Sequence, residues 1–178
     1  MPRWLALLSG LSVLVPGAAS ASTIENAGVA VAVALPVAAG GISVVKDDWT
    51  GVAQLVVDTG LTVGTAYGLK QIVHEERPDG SDNQSFPSDT AALAFAPAAY
   101  LWDRYGWEYG LPAYAAAAFV GYSRVEAKKH HWYDVLASAG IAWGYSRLIT
   151  TEFHPSHNLT TGLYASPNGV YARASYTW

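Results

Sequence analysis

Between Ser123 and Asp134 the chain brings three chemically capable side chains close together: Arg124, His130 and Asp134. His130 and Asp134 stand four residues apart, so on a helix they share a face. A carboxylate that holds one ring nitrogen of a histidine leaves the other free to attack or to carry a proton. Arg124 adds a fixed fork of donors suited to a pair of phosphate or carboxylate oxygens. The segment reads equally as a solvated basic helix end with a satisfied histidine, and taken alone it does not choose. Two earlier stretches do. Lys70 and Arg77 are seven residues apart, which predicts one helical face closed by Pro78. Ser85-Phe86-Pro87-Ser88-Asp89-Thr90 leads from a polar loop into an Ala-rich helix, whose first backbone N–H groups form an anion site. Three cations, a helix start and an oriented histidine point to an oxyanion such as phosphate, clamped while histidine attacks phosphorus.

The spacing K-x6-R-P (Lys70 to Pro78), a P-S turn (Pro87-Ser88) and S-R-x5-H-x3-D (Ser123, Arg124, His130, Asp134) resembles the type 2 phosphatidic acid phosphatase family. That family shares its site with the vanadium haloperoxidases and the class A bacterial acid phosphatases. The resemblance implies that Lys70, Arg77 and Arg124 bind phosphate, and that Ser88 and the backbone at Asp89 and Thr90 add hydrogen bonds. It also implies that His130 is the nucleophile and Asp134 its orienting partner, with no metal and no organic cofactor.

The middle motif departs from the pattern. Where the family reads P-S-G-H, this chain reads Pro87-Ser88-Asp89-Thr90. The histidine that protonates the leaving group in the family is Thr90 here, and a hydroxyl is far too weak an acid to replace imidazolium. Losing a general acid costs about 10²–10⁴-fold, less when the leaving group is already a good one. Asp89 is adjacent, but a carboxyl among cations at a helix start should have a lowered pKa. His74, four residues after Lys70, has suitable chemistry and is the other candidate acid, although it also reads as a surface histidine near a helix end.

Around these residues the chain reads as an all-α bundle of about five or six helices with a short C-terminal β-hairpin. Residues 1–21 resemble a secretory signal peptide: Arg3, the apolar run Trp4 to Val15, Pro16-Gly17, then Ala19-Ser20-Ala21. An uncleaved anchor is the rival reading. Residues 22–155 form the phosphatase-like domain. Ile24 to Val45 predicts a buried core helix bent or broken at Pro36. Asp47-Asp48 start the next helix, in which Gly60, Gly64 and Gly68 suggest a stripe that another helix approaches closely. The loop Asp79 to Pro87 is expected to be a flexible rim. Further helices are expected at Ser88 to Arg104, Trp107 to Glu126 and His130 to Glu152, the last burying Asp134, Leu136, Ile141 and Leu148. Residues 156–178 alternate around Ser166-Pro167-Asn168-Gly169 and predict a hairpin, either a flap over the bundle or a membrane contact.

Composition narrows the class. The chain has 178 residues, 51% of them hydrophobic and 13% charged, which suits one domain and excludes disorder. A formal net charge of −4 gives no global attraction to nucleic acid, and without cysteine there is no disulfide or thiolate chemistry. The five histidines lack zinc-site spacing. A mean hydropathy of +0.16, with Asp58, Arg104 and Arg147 cutting the apolar runs, favours a periplasmic or envelope-associated bundle over an integral membrane protein. The expected activity is hydrolysis of a phosphate ester or diphosphate, of lipid origin, through phosphohistidine. A catalytically impaired phosphate binder and a vanadate-dependent haloperoxidase are the alternatives.

Overall fold

The computed structural model describes residues 21–154, 159–166 and 169–176. The expected signal segment and its cleavage point fall almost wholly outside them. Five helices follow in order: α1 (Ala21–Val45), α2 (Trp49–Ile72), α3 (Asp89–Tyr105), α4 (Trp107–Glu126) and α5 (Trp132–Ile149). Strands β1 (Leu159–Ser166) and β2 (Gly169–Tyr176) pair antiparallel, Leu159 opposite Tyr176 and Ser166 opposite Gly169. Among the described residues the hairpin packs on no helix, so the expected flap over the bundle is not seen.

The helices alternate in direction, and α3 is the central one, packed on all four others. Its sequence explains this. Ala91, Ala92, Ala94, Ala96, Ala98 and Ala99 let neighbouring backbones approach from every side, while Phe95, Tyr100 and Leu101 fill what remains. Ser88 caps the helix, its Oγ accepting from Ala91 N at 3.3 Å. Gly106, at φ 86°, ends α3 and starts α4 in a single residue, a conformation glycine adopts without strain.

Several expectations are corrected. α1 runs through Pro36 as one helix and is not a core helix, since only 28% of its most apolar stretch is buried. α2 stops at Ile72, not at Pro78, because Val73 is already extended and Glu75 bridges to Gln84. Lys70 and Arg77 therefore do not share a helical face, and neither do Lys70 and His74. The loop is pinned rather than free: Arg77 pairs with Asp82, Asp79 with Lys129, and Ser85 N donates to Glu75 O. Among the described residues nothing packs within 4 Å of a Cβ built at Gly60, Gly64 or Gly68.

The largest correction concerns which residues face inward. On α5 the buried set is Asp134, Val135, Ser138, Ala142 and Ser146, whereas Leu136 and Leu148 are 58% and 83% exposed. On α2 it is Gly51, Leu55, Asp58, Thr62, Ala66 and Lys70, with Val56, Val57 and Leu61 outside. On α5 the inward positions are thus mostly small or polar, while Leu136 and Leu148, like Val56, Val57 and Leu61 of α2, look outward.

Candidate active site

One end of the bundle gathers the C-terminal ends of α2 and α4 and the N-terminal ends of α3 and α5. Lys70 lies in the last turn of α2 and Arg124 in the last turn of α4, while Ser88 caps α3. His130 lies in the short α4–α5 turn, and Asp134 in the first turn of α5. The first N–H groups of α3 and α5 thus face the same region as the cations, and both favour an anion.

His130 is 1% exposed. Its Nδ1 lies 2.7 Å from the carbonyl oxygen of Ser85. A carbonyl only accepts, so Nδ1 carries the proton and Nε2 presents a lone pair. Asp134 Oδ2 is 3.6 Å from Nδ1, longer than a hydrogen bond. That oxygen instead accepts from Ser85 Oγ at 2.5 Å and from His131 N at 2.8 Å. The orienting role expected of Asp134 therefore runs mainly through Ser85, with the carboxylate close enough to stabilise a positive ring. Asp134 Oδ1 is buried without a partner. Ser138 braces the same corner, donating to Ser88 O at 2.7 Å and Asp134 O at 2.9 Å.

The three expected cations each hold a carboxylate. Lys70 Nζ is 3.3 Å from Asp89 Oδ1 and donates to Gln84 O at 2.9 Å. Arg77 Nε donates to Asp82 at 2.7 Å, and its other arm reaches Lys129 O at 3.2 Å. Arg77 first, then the Gln84 N–H, holds Asp82 below the usual carboxylate range. Arg124 donates to Glu25 of α1 at 3.1 Å, and its buried Nε has no partner. α1 can come this close because a Cβ at Gly28 would collide with Ser123 Oγ.

Asp89 Oδ1 also lies 4.0 Å from His130 Nε2, so the residue at the family's glycine position faces His130 with its side chain. Burial acts to raise the Asp89 pKa, but Lys70 and then His130 outweigh it and hold the carboxyl below its ordinary range. Thr90 follows at the start of α3, half-buried. His74 is exposed beyond the end of α2 and makes no hydrogen bond or ion pair with the other site residues. Glu75, His131 and Asp134 bring three ligand-capable atoms within 4.8 Å of one another. Tyr133 Oη donates to Glu75, and Asp134 Oδ2 is already engaged by Ser85 and His131 N.

Lys70, Ser88, Asp89, Arg124, His130 and Asp134 thus meet at one end of the bundle, with Arg77 at its rim. Ser85, Glu25 and Asp82 escape a motif reading. Ser85 acts chiefly through its backbone carbonyl, which side-chain patterns do not report. Glu25 is remote in sequence.

Comparison with known proteins places this chain in a family. The model of the PAP2 superfamily matches residues 51–157. A lipid A 4'-phosphatase of Helicobacter pylori is 33% identical over 132 residues, covering 68% of this chain and 67% of that protein. A lipid A 1-phosphatase of Porphyromonas gingivalis is 39% identical over 69 residues, 36% of this chain and 15% of that protein. No solved structure matches the chain. The sequence motifs, the helical bundle and these matches agree: the chain is a phosphatase belonging to the PAP2 superfamily.

Proposed function

We propose that the protein removes a phosphate group from a phosphorylated membrane lipid, through a phosphohistidine formed on His130. The observation that carries this reading is the His130 ring: Nδ1–H is fixed on the Ser85 carbonyl, and Nε2 faces a region lined by Lys70 and two helix starts. Lys70, Arg77 and Arg124 hold the phosphoryl oxygens, and Ser88 and the backbone at Asp89-Thr90 complete the cradle. His130 Nε2 attacks phosphorus as the ester oxygen leaves. Asp134 stabilises the positive ring of the intermediate, and water then releases inorganic phosphate and frees the histidine. Thr90 supplies no proton to the leaving oxygen, so a low-pKa leaving group such as that of a lipid diphosphate suits this site better than a simple alkyl phosphate.

The outer surface supports a lipid substrate. There is no charge between Glu25 and Lys46, Asp89 and Asp103, Glu108 and Arg124, or Asp134 and Arg147. The one charge between Trp49 and Lys70 is Asp58, fully buried. This uncharged band is flanked by aromatic residues: Tyr67, Tyr122, Trp132 and Tyr133 near the site, and Trp49, Trp102, Trp107 and Trp143 towards the other end, all exposed. Trp49 to Tyr67 spans about 27 Å of helix, close to the ~30 Å apolar thickness of a bilayer. Asp58 is inside, and Arg104 and Arg147 lie at helix ends, so the charges that argued against membrane insertion lose their weight. Our reading is that the bundle sits in an envelope membrane with His130 at one face. A leader cleaved after Ala21 would put that face on the outer side.

The two relatives are named for lipid A, so lipid A is the first substrate to try. The test is phosphate release by the detergent-solubilised chain from lipid A, a lipid diphosphate and an alkyl phosphate. Release from the lipids, fastest where the leaving group is best, is the expected result. Tight lipid binding without release would favour the binder that Thr90 allows, and equal rates on alkyl phosphate and diphosphate would remove the leaving-group argument.

A further inference from the structure

In the free protein the position in front of His130 Nε2 is not open. Asp89 Oδ1 stands 4.0 Å from that nitrogen and 3.3 Å from Lys70 Nζ. A phosphoryl group held by Lys70 for attack by Nε2 has to sit close to both nitrogens, and Asp89 Oδ1, 4.0 Å from one and 3.3 Å from the other, already sits close to both. Asp89 is also the first residue of α3, set on the N-terminal end that attracts an anion.

Resting on the phosphatase reading above, we infer that the Asp89 side chain is a resident anion that fills the phosphoryl position in the free site and sets its specificity. Every incoming phosphate must first displace this carboxylate from Lys70, then sit beside it. The Asp89 side chain is 47% exposed, so it has room to swing towards solvent while its backbone N–H stays in the cradle. For inorganic phosphate the displacement consumes much of what the clamp supplies. A phosphorylated lipid has further contacts along its chains, and these offset the same cost. The carboxylate therefore discriminates against small free oxyanions and speeds release of the phosphate product. Against the effect of burial, Lys70 keeps Asp89 ionised, as this role requires. Asp89 is not assigned proton donation, since a held carboxylate has no proton to give.

The experiment is calorimetric titration of the full chain in detergent with inorganic phosphate at pH 7, comparing the unmodified protein with Asp89→Asn. Asn keeps the shape and removes the charge; Asp89→Gly serves as the second variant, with thermal unfolding to confirm folding of both. Phosphate affinity should rise at least about tenfold in both, since a like charge beside an anion site is removed. In steady state, product inhibition by phosphate should tighten in parallel, while KM for the lipid changes less than the phosphate affinity. Unchanged or weaker phosphate binding in both variants, or no binding by any of the three proteins, overturns the inference. A kcat at least 10²-fold lower without tighter phosphate binding also overturns it, because Asp89 would then be the missing acid. Tighter phosphate binding with no lipid turnover in any variant leaves the resident anion standing and sinks the phosphatase reading instead.

Discussion

Each end of the bundle buries an arginine, and the two are treated differently. At the far end, Arg104 is closed in. Its Nε and Nη2 both donate to the Asp48 carboxylate, and its Nη1 donates to Thr151 O at 2.6 Å and Thr151 Oγ1 at 3.0 Å. Tyr105 Oη donates to the same carboxylate at 2.8 Å, and Ser43 and Tyr100 complete the network. Arg124, at the near end, has one bond to a half-buried glutamate and a buried Nε with nothing to meet. Asp134 repeats the contrast, with one oxygen doubly bonded and the other orphaned. Buried polar groups left unsatisfied are costly, and two further ones, Asp58 Oδ2 and Thr59 Oγ1, lie in the middle of α2. The closed network holds helices together. The open one leaves Arg124 Nε and Asp134 Oδ1 without a hydrogen-bond partner.

That contrast is sharpest under mutation. His130→Ala should lower lipid phosphate release by at least about 10⁴-fold while leaving the unfolding temperature near that of the parent, as expected for a nucleophile. At the far end the pattern should reverse. Asp48→Asn strands the buried Arg104 charge and should cost about 3–5 kcal/mol of stability, read as a fall in unfolding temperature, with turnover per folded molecule unchanged. There, burial tends to raise the Asp48 pKa, but Arg104, Gly51 N–H and Tyr105 together hold it below 3.8. A depressed carboxyl stabilises the fold fully above its unfolded value and loses that contribution as pH falls through the folded one. The parent should therefore lose stability below about pH 3.8, and Asp48→Asn should lose less over the same window.

The fold and the site were legible to different depths. The histidine, the aspartate and the cations stand out by residue type and spacing, although helices do not carry that spacing into space: His130 lies in the α4–α5 turn and Arg77 beyond the end of α2. The start of α3 at Ser88 is equally legible, because a cap has a local cause. The inward faces were not. Leu136 and Leu148 look like core residues by periodicity, yet Ser138 and Ser146 occupy the inside. A period identifies a helix but not which solvent surrounds it, and mean hydropathy hides apolar residues concentrated on the outer surface. Pro78 suggests a later end for α2 than the one observed, because pairing of Glu75 with Gln84 claims the chain before it. The part of Ser85 was hidden because a backbone carbonyl carries no sequence signature.

Smaller effects test the near end alone. Arg124→Ala should cut turnover by about 10²–10³-fold, the usual cost of one preorganised donor to a developing oxyanion, and should leave Glu25 unpaired. Thr90→His should have the least effect on a diphosphate and a gain of about tenfold or more on an alkyl phosphate, since only the poorer leaving group needs a proton. Equal gains on both substrates would mean that the histidine acts by binding, not by acid catalysis.

The account turns on phosphorus becoming bonded to His130, and the direct measurement is chemical trapping of that bond. Detergent-solubilised protein is mixed with ³²P-labelled lipid phosphate, quenched in alkali within milliseconds, digested, and the labelled peptide identified. The account predicts an acid-labile, alkali-stable phosphoryl group on the peptide containing His130, absent from His130→Ala. Turnover without any such label, persisting in His130→Ala, would contradict it.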